Sequence, residues 1–569
     1  MSYLVESTYG IKGMLVFGRD LIYSCTGFMQ GDPLASLLFA IAAFPVMASI
    51  SAALPDLRAN VWLHDDGTCI GRKEDALQVL QIIRLEGPPR GLFLSEGLQG
   101  KTAIWNPFVP AGALSSFSKQ IKIAPAEGIV LLGSPIGNTL FKAEEINSRV
   151  DKIEGLVEKL CLLEDSHIEY CLLRSCLAIP KMSYTLRTTD PSLIEHILRR
   201  FDNCIRGALE NILGTPLTDN QWIQSSLPVS MTGMGLRSAV DHGPGAFLSS
   251  VAESSTLVES ITKDNVKFSL AAAFAMLRLK SDDQFSLDDA SSVKQREISF
   301  KIDSRIHDEL LSSTSDLRDK ARLNSLSLDK AGAWLTVIPS KTLGLHLAPK
   351  EFRVSARYRL GLPVFSTKGP CVACKKQESD QLADHAIACG MEGERIGRHN
   401  RLRDLLFQVS SQAALSPVRE ERALLPGRDS RPADVLLPSW FQGLDTALDV
   451  TVVSPLQQAL VAKAAEHPGA ALTHAYERKN RQSFEDCKAQ GIHFQPLPVE
   501  TLGGWHTQAV SVIKKLGRQL ARQTGKEDSE VIAHTFQRLS ILLMKGNSAL
   551  ILNRVPSHPP PHIDGEKDY

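Results

Sequence analysis

The sequence predicts a multidomain α/β chain with helices concentrated in its middle. Three observations predict it. The 569 residues exceed what one core ordinarily encloses, so several units must each bury apolar surface. Residues 1 to about 140 mix short strands, turns and an apolar helix, and from Glu144 the apolar positions switch to helical spacing. Strand-like runs separated by turn residues then return after about residue 430.

Composition bounds the chemistry. The hydrophobic fraction of 43% and charged fraction of 22% are those of globular protein and exclude a wholly disordered or fibrous chain. Lys plus Arg and Asp plus Glu both number 63, so the chain as a whole exerts no pull on phosphate. Any nucleic-acid binding must come from local basic faces. Lys514, Arg518 and Arg522 recur every four residues and line one helical face, a spacing that fits a phosphate-binding face and a solvated helix equally. Ten scattered cysteines and no basic-then-apolar leader in MSYLVESTYG point to a reducing compartment. Leu34 to Leu54 is uncharged and long enough to span a bilayer, but Pro45 and the serines at 36, 49 and 51 interrupt it. It is read as a buried helix, with a membrane span as the minority reading.

Along the chain, Arg58 to Gly71 has apolar runs on either side of His64-Asp65-Asp66-Gly67 and predicts a hairpin with those four at its turn. Gly128 to Gly137 predicts a strand entering a turn. Ile146, Val150, Ile153, Val157 and Leu160 mark one helix, and a second runs from Ser192 through Leu209, capped by Asp190 or Ser192. Residues 215 to 345 are mainly helical and hold no polar cluster resembling a site. The tail from Arg554, RVPSHPPPHIDGEKDY, is rich in proline and polar residues and is expected to be disordered.

Adjacent carboxylates at a hairpin tip repel unless a cation neutralises them, and a divalent metal is the usual partner. Asp65 and Asp66 meet that description. Upstream stands GFMQGDPLASLLF, Gly27 to Phe39; downstream stand Gly91-Leu92 with Lys101, then Leu131-Leu132-Gly133-Ser134-Pro135-Ile136-Gly137. In this order the four motifs resemble the palm of non-LTR retrotransposon reverse transcriptases. The resemblance implies that Asp65 and Asp66 bind Mg2+ for nucleotidyl transfer and that Gln30 and Gly31 lie against the incoming nucleotide and template. Residues 1–140 would be a partial reverse-transcriptase palm and 141–240 a helical thumb. A glycine-rich element of the family is matched by Leu227-Pro228 and Thr232 to Arg237. The family carries a further aspartate well before the glutamine-glycine turn, and 29 residues precede Gln30 here without supplying it. The chain as given is therefore expected not to polymerise DNA efficiently, the gene model being truncated or the element decayed.

Cys371 and Cys374 enclose two residues, ten more precede His385, and three more precede Cys389. Thiolates and an imidazole at these intervals can close a tetrahedron on Zn2+. His399 is a second-choice ligand. Such a CCHC zinc knuckle, residues 365–400, would be structural or nucleic-acid-contacting.

Arg431-Pro432-Ala433-Asp434 is followed, with fourteen residues between, by Asp449 in the strand-like run Ala447 to Val453. If the two segments form a hairpin, the carboxylates meet at one edge and can chelate Mg2+. Lys479 would orient water or balance charge on the phosphorane. A carboxylate pair directly after a CCHC knuckle resembles the C-terminal region of site-specific non-LTR retrotransposons, with a restriction-like, PD-(D/E)XK endonuclease. The resemblance makes Asp434 and Asp449 metal ligands, Lys479 the catalytic lysine displaced onto a following helix, and Glu420 or Glu421 an accessory acid on the helix before. Thr451 stands where the simplest nucleases place the lysine.

The organisation expected is thus palm 1–140, thumb 141–240, helical connector 241–364, knuckle 365–400, endonuclease 401–510, and basic helix with tail 511–569. Three functions are carried forward. The first is Mg2+-dependent nicking of DNA in support of target-primed reverse transcription, with DNA and RNA as partners, no membrane, and the nucleus as location. The second is an active RNA-directed DNA polymerase completed by an upstream exon. The third is a zinc-stabilised nucleic-acid-binding relic.

Overall fold

The computed structural model describes residues 2–24, 27–28, 31–97, 99–109, 111–114, 117, 120–262, 269–280, 294–391, 393–420, 424 and 432–555. The protein is a multidomain α/β chain, 58% helical, with small sheets. It divides into two compact units, one of residues 1–148 with 248–272, the other of residues 149–247 with 273–569.

In the first unit, α1 (Ser2–Tyr9) precedes a hairpin of β1 (Gly13–Phe17) and β2 (Asp20–Ser24). The carboxylate of Asp32 accepts from the Tyr9 hydroxyl and, at 2.8 Å, from Leu34 N at the start of α2 (Ala35–Ala53). Helix α2 is apolar all round, with a mean hydropathy of 2.0, and is long and apolar enough to cross a membrane. The expectation that it is buried needs correction. Leu38, Ala43, Val46 and Ile50 are covered, whereas Leu37, Ile41 and Phe44 are exposed. Its covered face meets Val79 and Ile83 of α3 (Lys73–Glu86) together with Trp62 and Leu54.

Between these helices lies the expected hairpin, β3 (Ala59–Leu63) and β4 (Asp66–Ile70), with Leu63 opposite Asp66. The turn is therefore only His64 and Asp65, and His64 takes a φ of +55°. Gly67 lies opposite Trp62, where a Cβ would come within 2.8 Å of the indole, so a side chain there would force the indole to shift. Short strands β5 (Ala103–Ile104) and β6 (Lys122–Ile123) pair in parallel, and β7 (Gly128–Leu131) and β8 (Ser134–Gly137) form a second hairpin. The helix expected from Glu144 begins earlier, as α4 (Thr139–Leu160).

The second unit opens with helices α5 (Ser166–Leu172), α6 (Ile179–Thr188), α7 (Glu195–Leu213) and α8 (Asp219–Ser226). Asp190 caps as expected, accepting from Ser192 N at 2.9 Å, but the cap starts a short 3-10 turn and α7 begins three residues later. Asp202, buried on α7, accepts from Ala239 N (2.8 Å) and Val240 N (3.3 Å) at the start of α9 (Ala239–Thr262). Burial pushes its pKa up to about 6 against these hydrogen bonds.

Three further helices are α10 (Ala271–Lys280), α11 (Gln295–Ser313) and α12 (Leu317–Leu326), and then comes α13 (Pro349–Leu360). Arg359 of α13 is fully buried without a carboxylate partner. Its guanidinium donates to the carbonyls of Gly233 (3.0 Å), Val229 (3.1 Å) and Ala331 (3.4 Å). This anchors the glycine-rich element, in which a Cβ on Gly233 would lie 1.9 Å from the Leu227 carbonyl oxygen.

After the β9 (Gly369–Pro370) and β10 (Glu378–Ser379) pair come α14 (Asp384–Ala388) and α15 (Glu394–Gln412). A four-stranded sheet follows, in the order β11 (Val418–Arg419), β12 (Val435–Phe441), β13 (Leu444–Val453), β14 (His493–Glu500). Strands β12 and β13 are antiparallel, and β13 and β14 are parallel. The parallel pair needs a crossover, supplied by α16 (Val461–Glu466) and α17 (Ala470–Ala489). Helices α18 (Thr507–Thr524) and α19 (Asp528–Leu552) complete the unit.

The predicted tail begins later than Arg554. That residue is fully buried and donates to Met391 O (2.8 Å) and Glu394 (2.7 Å), while residues 556–569 lie outside the described residues.

Phe352 of α13 is fully buried among the rings of His167 (5.1 Å), Tyr170 (5.3 Å) and Trp334 (5.5 Å). Phe352→Ala is expected to lower stability by about 3–5 kcal/mol. Denaturant unfolding followed by tryptophan fluorescence checks this; a loss under about 1 kcal/mol would show that the cavity collapses.

Candidate functional site

Strand β13 has partners on both sides, so its run from Ala447 to Val450 is buried. Asp449 interrupts that run and, by alternation, shares a face with Thr451 and Val453. Helix α17 packs on this face through Ala471, Leu472 and Ala475, which cluster with Val453. The two alanines there let the helix come close enough for Lys479 to reach the carboxylate. Its Nζ lies 3.1 Å from Oδ1 and 2.9 Å from Oδ2. Burial raises the pKa of Asp449 to about 6; Lys479 lowers it and neighbouring Asp434 raises it. Despite the proximity of Nζ, Oδ2 is buried with no donor correctly aligned on it.

The hairpin brings Asp434 to the same edge. Its backbone N–H donates to Leu448 O at 2.9 Å, and its Oδ2 accepts from Val450 N at 2.7 Å, one residue beyond Asp449. The sequence offers His399 as a second-choice ligand for the cysteine cluster. Instead α15 delivers its Nε2 to 3.0 Å from Asp434 Oδ2 and 3.1 Å from Val450 O. Burial pulls the pKa of His399 down, but the Asp434 carboxylate more than offsets that and leaves it above its ordinary value. No local signal foretold this, because the contact joins residues 35 positions apart.

The expected accessory acid is displaced. Glu420 sits past β11 rather than on a helix and is ion-paired with Arg403 of α15; Glu421 and Arg431 lie outside the described residues. Lys479 is on the following helix, as the sequence indicated. The two carboxylates, one of them with the unsatisfied Oδ2, and the Val450 carbonyl are hard oxygen donors of the kind divalent cations take.

The cysteine cluster closes more completely. Ligand atoms of Cys371, Cys374, His385 and Cys389 all lie within 4.8 Å of one another, a set that could hold zinc. The turn between the first two cysteines ends with Lys375 at φ +54°, its N–H bonded to Cys371 O at 2.8 Å. The backbone N–H of Lys376, aided by that of Gln377, holds the Cys374 thiol down to about 6. Asp380 accepts from Asp384 N (3.1 Å) and His385 N (2.8 Å), fixing the short helix that carries the imidazole. Among the described residues this is the one group of three or more Cys, His, Asp or Glu side chains so arranged.

Asp65 and Asp66 are exposed, Asp65 in the β3–β4 turn and Asp66 on the first residue of β4. The Phe39 and His64 rings, 6.5 Å apart, link α2 to this turn. Gly31 has a φ of +92° just before Asp32, and Gln30 lies outside the described residues. Among the described residues no third metal-ligating side chain joins the pair.

No protein-family model matches the chain, and no curated protein matches it.

The raised pKa of Asp449 carries a stability consequence. Its protonated form is favoured in the folded state, so the stability it contributes is present below pH 4 and lost as pH rises through about 6. Asp449→Asn does not titrate. Relative to the unmutated chain, it is expected to gain on the order of 1–3 kcal/mol between pH 4 and 7. Denaturant unfolding at both pH values measures the difference, and an unchanged gap would mean that Asp449 is solvated.

Proposed function

We propose that the chain is a retrotransposon-derived protein whose C-terminal α/β region is a Mg2+-dependent DNA endonuclease acting in support of target-primed reverse transcription. One observation carries the reading. The β12–β13 hairpin brings Asp434, Asp449 and the Val450 carbonyl together at the inner strands of the sheet, with Lys479 reaching Asp449 from the crossover helix.

Bound Mg2+ would activate a water and stabilise the leaving oxygen of the phosphodiester. The chain's own residues prepare for it. The Val450 N–H and His399 fix the Asp434 carboxylate, strand β13 holds Asp449 in place, and Lys479 balances charge as the phosphorane develops. Cys371, Cys374, His385 and Cys389 would hold Zn2+ as a closed structural site beside the nuclease. Residues 1–140 would correspond to a partial reverse-transcriptase palm with Asp65, Asp66, Gln30 and Gly31 in the roles the resemblance assigns. With no third carboxylate beside the pair among the described residues, this chain is proposed not to polymerise efficiently. DNA and RNA would be its partners and the nucleus its place of action.

Nicking of supercoiled plasmid with Mg2+ tests the central point. The unmutated chain is expected to nick, Lys479→Ala to slow nicking by about 10²–10³-fold, and Asp449→Ala to abolish it. If the Asp449→Ala protein nicks as fast as the unmutated chain, the site is wrongly assigned.

Zinc is tested separately. Elemental analysis is expected to find zinc in the purified protein and to lose it in Cys371→Ser, with a lower Tm that added zinc does not restore. Equal zinc content in both proteins would remove the cysteines from the assignment.

A further inference from the structure

Beside the carboxylate edge, β13 and α17 border a second feature. A cavity of about 180 Å³ opens where β13 ends. Its floor is apolar and fixed, since Val453, Leu460 and Ala475 belong to one buried cluster. Its rim is basic: Lys463 of α16 and His474 and Arg478 of α17 line it, all three exposed. No carboxylate lines the cavity, and among the described residues these three side chains have neither an ion pair nor a hydrogen-bond partner. Two cations and an imidazole N–H, none of them partnered, around a concave floor are a standing site for an anion.

The size narrows the ligand. Pockets for drug-sized molecules run from about 300 Å³ upward, so this one suits a phosphate group rather than a whole nucleoside. A guanidinium offers a planar fork to phosphate oxygens, an ammonium a compact charge, and an imidazole one N–H.

The position narrows it further. Val453 stands four residues beyond Asp449 on the same face of β13, about 13 Å along the strand. Arg478 is the immediate neighbour of Lys479 on α17, turned about 100° round the helix. Nucleic acid lying across the carboxylate edge would pass the cavity within a few nucleotides.

We propose that the cavity rimmed by Lys463, His474 and Arg478 binds a backbone phosphodiester of the nucleic-acid strand that the carboxylate edge acts on, and so sets its register. The location relative to chemistry rests on the endonuclease reading; the binding itself does not. Contacts to phosphate carry no base information, so the effect is independent of sequence.

The test is fluorescence anisotropy of a labelled DNA duplex with the full chain, without divalent ions, across a range of salt. The double variant Lys463→Gln/Arg478→Gln is compared with Arg481→Gln/Lys488→Gln, which removes the same charge from residues outside the cavity. The cavity variant is expected to weaken binding about tenfold or more and to reduce the slope of log K against log salt by about 0.9, the value for one phosphate contact. Equal effects of the two variants would overturn the proposal, since net charge alone would then explain them. A matching Tm shows that the cavity variant is folded; if it is not, Arg478→Gln alone is expected to weaken binding and lower the slope more than Arg481→Gln alone does. Inorganic phosphate that binds the unmutated chain calorimetrically, while DNA affinity is the same in both variants, would reassign the cavity to a free anion. Weaker DNA binding by the cavity variant of a chain that does not nick would keep this site and remove the endonuclease.

Discussion

The second unit's candidate chemistry depends on one ion pair, Lys479 with Asp449. A carboxylate in a strand with partners on both sides has lost most of its water, and leaving it charged and unpaired costs several kcal/mol. Asp434 at the same edge adds repulsion, and the resulting pKa of about 6 records how incompletely Lys479 compensates. The ammonium can reach because α17 packs through Ala471, Leu472 and Ala475 on the face of β13 that carries Val453. Larger side chains there would lift the helix and separate the pair. The crossover from β13 to β14 is thus more than a connection, because it brings a cation to a place the sheet alone would make untenable.

The cysteine cluster shares its supports with this region. Ala383, Ala386 and Ile387, around the imidazole-bearing helix, pack in one core with Tyr358 of α13, Ala321 and Leu326 of α12, Leu456 and Ala464 before and within the crossover, and Ile551 of α19. Arg318 of α12 donates to both oxygens of Asp384, at 2.7 and 2.9 Å. A metal closing the four ligands would therefore stiffen the same core from which the crossover to α17 departs. The metal would act on the Asp434–Asp449 site through packing alone.

What the sequence made legible was local. The β3–β4 turn, the β12–β13 hairpin and the spacing of the cysteines and histidine each depend on residues a short way apart, where turn geometry and chelation leave few alternatives. Lys479 was reachable because a pair of carboxylates needs a cation to complete it, and a lysine in the helix that follows can supply one. His399 was not, since its contact with Asp434 arises from how α15 lies against the sheet, and sequence spacing pointed instead to the nearer cysteines. Glu420 failed for a similar reason: Arg403 stands seventeen residues before it and captures it. Arg554 reads as the start of a polar tail, yet Glu394 and the Met391 carbonyl hold it in the interior. The exposed side of α2 could not be read at all, because apolar residues on every face do not say which face a fold will cover.

The two carboxylate pairs differ in the quantity that decides between them. Asp65 and Asp66 are exposed, so water already stabilises their charge and the fold has no need of a cation there. Asp449 is buried, next to a like charge, with one oxygen lacking an aligned donor. A divalent ion at the first pair would displace water for a modest gain, whereas at the second it would relieve a repulsion and satisfy an orphaned lone pair that the fold itself maintains. A folded chain tolerates such an arrangement where the strain serves chemistry, and this physical difference, more than the order of motifs, is why the proposed activity is assigned to the C-terminal sheet.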